Sequence, residues 1–394
     1  MRRELRRLSA LFFALLVFVA GCSTGDDESR PPQLGVDAED EEAAEKLGFP
    51  STATRNTVRV GGADAAADAA GVAGALYPAT GDADRPTAVV LVDQDDWVTG
   101  IAASVLAGRP IGAPILLTDG DELPAVTEDV LQRLNPKGSD LSRDAQVIRV
   151  GPDTARPDDF KTALIEGNSP FERAAAIDRF FSAARARPSN DVVLYSAESA
   201  EFAMPVAAWA ARSGDAVLPV RRDAIPAPIL RALGEHERPN VFVVGPERVI
   251  SKKVLDQLRE RRLAREVNRI EGPDPVENAI AFTRYEKGDF GWGVVVPGYN
   301  FSVASTTRPS DAAAAAALSA RGVFAPLLLT DDPQTLPPQL EEFFLSVQPG
   351  YEDDPGQAVY NRAWIIGDDQ AVSIEQQAQI DQLTELIPVQ VNAP

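Results

Sequence analysis

The chain reads as an α/β protein made of three similar small parallel-sheet modules of Rossmann/Toprim-like type. Two observations predict this. A phrase recurs three times at a spacing of roughly 100 residues, far longer than a solenoid period of about 20–50. It runs Pro114-Ile115-Leu116-Leu117-Thr118 to Val147-Ile148-Arg149-Val150-Gly151, then Ala216-Val217-Leu218-Pro219-Val220 to Val241-Phe242-Val243-Val244-Gly245, then Pro326-Leu327-Leu328-Leu329-Thr330 to Ala363-Trp364-Ile365-Ile366-Gly367. Within each copy, continuous apolar runs alternate with amphipathic stretches over short connections, the pattern of parallel strands buried under helices. Each copy is long enough for a core of its own.

In the first module, residues 87–92 form a strand buried on both faces, a helix over 98–107 follows, and 115–118 is the next strand. A helix opened by Pro124 presents Val126, Val130, Leu131 and Leu134 on one face, and Gly151-Pro152 stops the strand 146–150. The second module repeats the order, with a strand over 191–195, a helix over 204–211, a strand over 216–220 and a helix burying Ile229, Leu230 and Leu233. In the third, 293–297 is expected as the first strand, 312–318 as an alanine helix and 327–330 as the next strand; Leu340, Phe343, Phe344 and Val347 line the helix after it. The module openings match too: Arg59-Val60-Gly61-Gly62-Ala63-Asp64 corresponds to Arg269-Ile270-Glu271-Gly272-Pro273-Asp274, and each precedes a helix.

Arg2, Arg3, Arg6 and Arg7 precede a short apolar stretch over 8–20 and then Val19-Ala20-Gly21-Cys22, the layout of a secretory signal. The stretch is short for a transmembrane helix, which needs about 20 residues. The small residues before Cys22 resemble the cleavage site of bacterial lipoproteins, which implies a lipidated (palmitate-bearing) Cys22 as the new first residue. Cys22 is the only cysteine of the 394 residues, so no intramolecular disulfide forms. Residues 23–56, with Glu39-Asp40-Glu41-Glu42, have the composition of an acidic disordered tether. The expected organisation is a signal over 1–21, a lipidated tether over 22–57, and modules over 58–160, 161–265 and 266–394.

The formal charge is −21, and it becomes −24 without residues 1–21, which carry four Arg and one Glu. Such a balance argues against nucleic acid as a partner. Lipid on Cys22 is the expected membrane contact.

The phrases resemble the cell wall-binding repeat 2 family of Gram-positive surface proteins. Gly112-Ala113-Pro114-Ile115-Leu116-Leu117-Thr118, Ser310-Asp311-Ala312-Ala313 and Ala371-Val372-Ser373 carry the likeness, which runs in three copies from Val58 onward. The resemblance implies modules set about a pseudo-threefold axis and non-covalent binding of an anionic wall polymer. Module two departs from it, with Arg221-Arg222 where the other copies are acidic.

Candidate ligand residues follow from position. Asp93, Asp95, Asp96 and Trp97 follow the first strand at its carboxyl end, where ligands of open α/β sheets sit. Asp119, Asp121 and Asp331 lie at the ends of the next strands, where they also suit the amino termini of the following helices. Asp311 opens the alanine helix, and Tyr299 is an aromatic beside a strand end able to meet a sugar ring. His236, the only histidine, is expected in a polar loop, Gly234-Glu235-His236-Glu237-Arg238-Pro239, and with no second histidine a zinc site is not expected. No G-x-S-x-G elbow, P-loop or dinucleotide fingerprint occurs. The expectation is a non-enzymatic, cofactor-free binder of wall polymer, held on the outer face of the cytoplasmic membrane and facing the wall. The alternatives are a lipid-anchored solute-binding protein of a transporter and an envelope interaction scaffold.

Overall fold

The computed structural model describes residues 51–389, so the signal and Cys22 lie outside the described residues, as does the tether up to residue 50. In chain order the first segment contains β1 (Ser51–Ala53), β2 (Thr57–Val60), α1 (Ala65–Leu76), β3 (Val89–Asp93), α2 (Trp97–Ala103), β4 (Ile115–Thr118), α3 (Ala125–Leu134) and β5 (Val147–Val150). Next come β6 (Thr162–Ile165), α4 (Pro170–Ala184), β7 (Asp191–Ser196), α5 (Ala200–Ala203), α6 (Pro205–Ser213), β8 (Ala216–Val220), α7 (Ala227–Glu235), β9 (Asn240–Val244) and α8 (Lys252–Glu260). The last segment holds β10 (Glu266–Ile270), α9 (Pro275–Arg284), β11 (Glu286–Lys287), β12 (Phe290–Gly291), β13 (Asn300–Ser305), α10 (Asp311–Ala320), β14 (Leu327–Thr330), α11 (Pro338–Ser346), β15 (Gly350–Tyr351), β16 (Arg362–Ile366), α12 (Ile374–Leu383) and β17 (Ile387–Pro388).

The mixed α/β class holds, with several small parallel sheets. Their strand orders are β4-β3-β5-β6, β8-β7-β9-β10 and β14-β13-β16-β2-β1. All pairs in them are parallel except β1 with β2. The sheets do not follow the sequence repeats. β6 and β10 open a repeat in sequence but complete the sheet of the preceding one, and β2, from the start of the chain, completes the last sheet beside β16. Without β2, β16 would expose a row of unpaired backbone groups.

Arg59 fastens that closure. It is 4% exposed, and its guanidinium donates to the carbonyls of Gly367 (2.8 Å), Asp368 (2.7 Å) and Val372 (2.7 Å) and to Gln377 Oε1 (2.9 Å). Arg269 does the same in the second sheet, reaching Gly245 O (2.5 Å) and Ile250 O (2.8 Å). In the first sheet the matching position is Leu164, and Arg149, its cross-strand partner on β5, reaches Ala155 O (3.0 Å) instead. The backbone N–H groups of Asn56 and Thr57 donate to Asp381 on α12 (2.7 and 3.0 Å), tying β2 to the far end of the sequence.

The alanine-rich helix α10 packs against both α1 and α6. Small side chains allow that close approach, and where α10 meets α2 a Cβ on Gly100 would stand 3.1 Å from that of Ala313. Ala312, Ala313, Ala314, Ala315, Ala316 and Ala317 are all buried.

Two expectations change. The first strand of the last sheet is β13, not 293–297, which is irregular, with Val295 and Val296 exposed. β13 was quieter in sequence because it buries Ser302 and Ser305 among its apolar residues. His236 is not in a solvated loop: it is 5% exposed at the end of α7. Its Nδ1 lies 2.9 Å from Ser189 O and its Nε2 2.9 Å from Asp178 Oδ2. Both partners are acceptors, so only the imidazolium satisfies both. Burial pulls its pKa down, but the hydrogen bond and charge of Asp178 outweigh it and the net shift is upward.

That contribution is complete below the unfolded value of about 6.5 and is lost as pH rises through the higher folded value. Replacing His236→Gln should therefore lower the melting temperature most at pH 6 and progressively less toward pH 9. A deficit that grows with pH would contradict the assignment.

Candidate functional site

In parallel sheets of this order, ligands sit at the carboxyl ends of strands beside the point where the order reverses. Here those ends are also the junctions between successive repeats. In the last sheet Arg308 follows β13, Asp368 follows β16 and Gly61-Gly62 follow β2. Arg308 Nη2 donates to Asp368 Oδ1 (2.7 Å), and its Nη1 donates to Gly62 O (3.1 Å) and stands 3.5 Å from Asp68 Oδ2. Asp68, on α1, also accepts from Gly62 N–H (2.6 Å). Gly61 has φ +136°, and a Cβ there would lie 2.1 Å from the Asp68 carboxylate, so only glycine fits.

Asp311, at the start of α10, completes the cluster. Asp68 and Asp311 are both fully buried. Asp68 Oδ2 and both carboxylate oxygens of Asp311 lack other hydrogen-bond partners. The two carboxyls lie within hydrogen-bonding reach of each other, so one shared proton would partner one oxygen of each. Burial pushes Asp68 up to about 7 against the opposing effects of Asp311, Gly62 and Arg308. Burial, then the charge of Asp68, holds Asp311 well above the usual carboxylate range.

The other junctions use the same helical position with different chemistry. Arg173 on α4 pairs with Asp96 (2.5 Å) and donates to Thr99 Oγ1 (3.0 Å). Asn278 on α9 accepts from Gly272 N–H (3.2 Å) and donates to Phe202 O (3.3 Å). Acid, base and amide thus occupy equivalent places, each joining the first helix of one repeat to the helix that follows the first strand of another, the preceding repeat for Arg173 and Asn278 and the last repeat for Asp68.

The structure gives the sequence-derived candidates distinct surroundings. Asp93 turns onto its own loop, accepting from Asp95 N–H (3.1 Å). Asp96 caps α2 besides pairing with Arg173, and Trp97, half-buried, is the first residue of that helix. Asp95, Asp119, Asp121 and Asp331 are exposed on turns. Asp311 is enclosed, and Tyr299 lines a groove near the amino ends of the strands. Sequence reasoning missed Asp68, Arg173 and Arg308, whose only signal is their offset from a glycine or a strand end. Among the described residues no group of three or more His, Cys, Asp or Glu side chains could hold a metal ion, and no helix is long and apolar enough to cross a membrane.

Two matching surface grooves flank the junction helices. One, of about 440 Å³, lies between α4 and α7 and is lined by Gly167, Glu172, Arg179 and Arg231. The other, of about 470 Å³, lies between α9 and α11 and is lined by Gly272, Glu277, Arg284 and Glu342. Each carries a glutamate and an arginine seven residues apart on the same helix. The corresponding helix α1 is built mainly from alanine and glycine, with Asp68 its only charged residue.

Residues 269–376, from β10 into α12, match the sequence profile of the cell wall binding domain 2 (CWB2) family. Among solved structures the chain is similar to Cwp8 from Clostridium difficile, at 21% identity and a TM-score of 0.62 over 84% of this chain and 52% of that one. It is also similar to Cwp6 from Clostridium difficile, at 19% identity and a TM-score of 0.65 over 85% of this chain and 48% of that one. The chain spans about half the length of each, and at these identities the likeness is one of fold. No curated protein matches the chain.

The Asp68–Asp311 pair favours the folded state fully below the unfolded carboxyl value of about 4 and loses that contribution as pH rises through about 7. Asp68→Asn, which keeps an acceptor for Gly62 and donates to Asp311 without ionising, should melt above the wild type at pH 8. At pH 5 the gap should narrow. A melting-temperature difference independent of pH would show that the two carboxyls do not share a proton.

Proposed function

We propose that this is a non-catalytic protein of the cell envelope, anchored by lipid on Cys22 to the outer face of the cytoplasmic membrane, that binds wall polymer through three CWB2-type modules. The observation that carries the reading is the family match over 269–376, since the strand-helix-strand-helix-strand-helix-strand order at its centre, without the β11/β12 hairpin and β15, occurs twice more in the chain. Each of the two corresponding grooves offers an arginine (Arg179 or Arg284), but carboxylates equal or outnumber the cations in its lining, so an anionic polymer would need bridging divalent cations there as well. An anionic polymer would meet such contacts one repeat at a time, and bridging divalent cations would moderate the repulsion from the rest of the surface. The anchor reading rests on Cys22 as the sole cysteine, behind a basic and then apolar leader.

One fractionation tests both halves. The wild type should be recovered with membranes. The Cys22→Ser chain should leave them and co-sediment with isolated walls, more weakly as salt is raised. Retention of Cys22→Ser in membranes would refute the lipid anchor. Failure of the released chain to sediment with walls, with or without divalent cations, would refute polymer binding.

A further inference from the structure

The third repeat carries a segment that the second lacks. Between α4 and β7 the chain crosses in residues 185–190, whereas between α9 and β13 it makes the β11/β12 hairpin and the irregular stretch 292–299. This addition builds one wall of a groove of about 560 Å³. The hairpin supplies Asp289 and is followed by Trp292; Tyr299 and Asn300 lead into β13, and α6 and the loop after α10 close the other side with Arg212 and Phe324. The groove lies near the amino ends of β7 and β13, away from the carboxyl-end junctions described above.

Phe324 is the first anomaly. It is 46% exposed and has φ +55°, a left-handed conformation that a bulky residue rarely adopts. Strain of this kind persists where surrounding contacts enforce it, and it clusters at ligand sites. Here Asn300 donates to Val323 O (3.1 Å), and the Arg212 guanidinium sits 4.8 Å from the Phe324 ring centre. The second feature is the rigidity behind the wall. Trp292 is half-buried, edge-on to Trp209 at 5.5 Å. Trp209 in turn donates to Asp215 (3.0 Å), and Phe290 stacks on Phe242 at 3.5 Å. The aromatic surface is therefore held in place before any ligand arrives. The third is charge: Asp191, Asp215 and Asp289 line the groove against one cation, Arg212, whose guanidinium stacks on the Phe324 ring.

Aromatic faces flanked by carboxylate acceptors fit a particular shape. A pyranose ring has a face of C–H groups that lies on an aromatic ring and a rim of hydroxyls that donate to carboxylates. The carboxylates disfavour acidic sugars and favour neutral or amine-bearing ones. We propose that this groove binds a neutral or amino-sugar unit of a glycan, with Trp292 and Phe324 as its platforms and Asp289 as a hydroxyl or amine acceptor. The proposal rests on the wall-polymer reading for the source of the glycan, but its chemistry is that of this groove alone.

The test uses the Cys22→Ser chain, retaining everything after the leader, and follows tryptophan fluorescence during titration with three tetrasaccharides. These are β-1,4-linked N-acetylglucosamine, its de-N-acetylated form, and oligogalacturonate. Saturable quenching by either of the first two and none by the third is expected. Trp292→Ala and Phe324→Gly should each weaken binding about tenfold. Phe324→Gly suits the left-handed backbone, so an unchanged or higher melting temperature separates lost binding from lost folding. Equal binding by both variants, quenching by oligogalacturonate alone, or quenching by phospholipid vesicles but by no saccharide would overturn the proposal. Wall sedimentation separates it from the broader reading. If the Cys22→Ser chain pellets and both variants made in it pellet equally, this groove is not the glycan site although wall binding stands. If the Cys22→Ser chain does not pellet, wall binding fails, and the titration still decides the groove.

Discussion

The structure depends on one closing contact, the pairing of β2 with β16. A chain that lends the opening strand of each repeat to the sheet before it ends one strand short, and only its own beginning can make up the deficit. Backbone pairing alone would be modest over the four residues of β2. The buried guanidinium of Arg59 strengthens it by satisfying carbonyls of the turn after β16, and Asp381 on α12 holds Asn56 and Thr57 in register. The two ends of the folded region are thereby fixed to each other, with α1 packed on α10 across the closure.

Each junction then solves the same electrostatic problem in its own way. An equivalent helical position carries Asp68, Arg173 or Asn278, and each finds a partner across the junction. The closing junction is the most enclosed, with Asp68 and Asp311 both at 0% exposure. Two buried carboxylates would repel, and Arg308 is already shared with Asp368. A proton in place of a second cation resolves the conflict and makes the closing junction the pH-sensitive one. The Arg173–Asp96 pair, an ordinary opposite-charge pair, needs no such device.

Much of the architecture was legible because buried parallel strands are written as unbroken apolar runs; β3, β4, β8, β9 and β14 announce themselves in that way. β13 did not, because Ser302 and Ser305 interrupt it while the exposed valines nearby imitate a strand. Strand lending leaves no mark in local sequence, so repeat boundaries and sheet boundaries differ. The matched Arg59 and Arg269 openings were visible as a motif, but their work on neighbouring carbonyls was not. Among candidate site residues, Asp311 was singled out for its place at a helix start, yet burial gives it a carboxyl partner rather than a ligand-facing role. Tyr299 was noticed as a strand-end aromatic and does line a groove. Phe324, beside it, carries no sequence signal, because its significance lies in its backbone conformation.

The central claim is that the first strand closes the last sheet. Amide hydrogen exchange on the Arg59→Ala protein, compared with the wild type, tests it most directly. Removing the guanidinium leaves several buried carbonyls unpartnered, a cost of at least about 3 kcal/mol. The account predicts loss of protection in β2, β16 and β13, extending into α1 and α10, while β7, β8 and β9 stay protected. Unchanged protection in β16, or loss spread evenly over all three sheets, would contradict it.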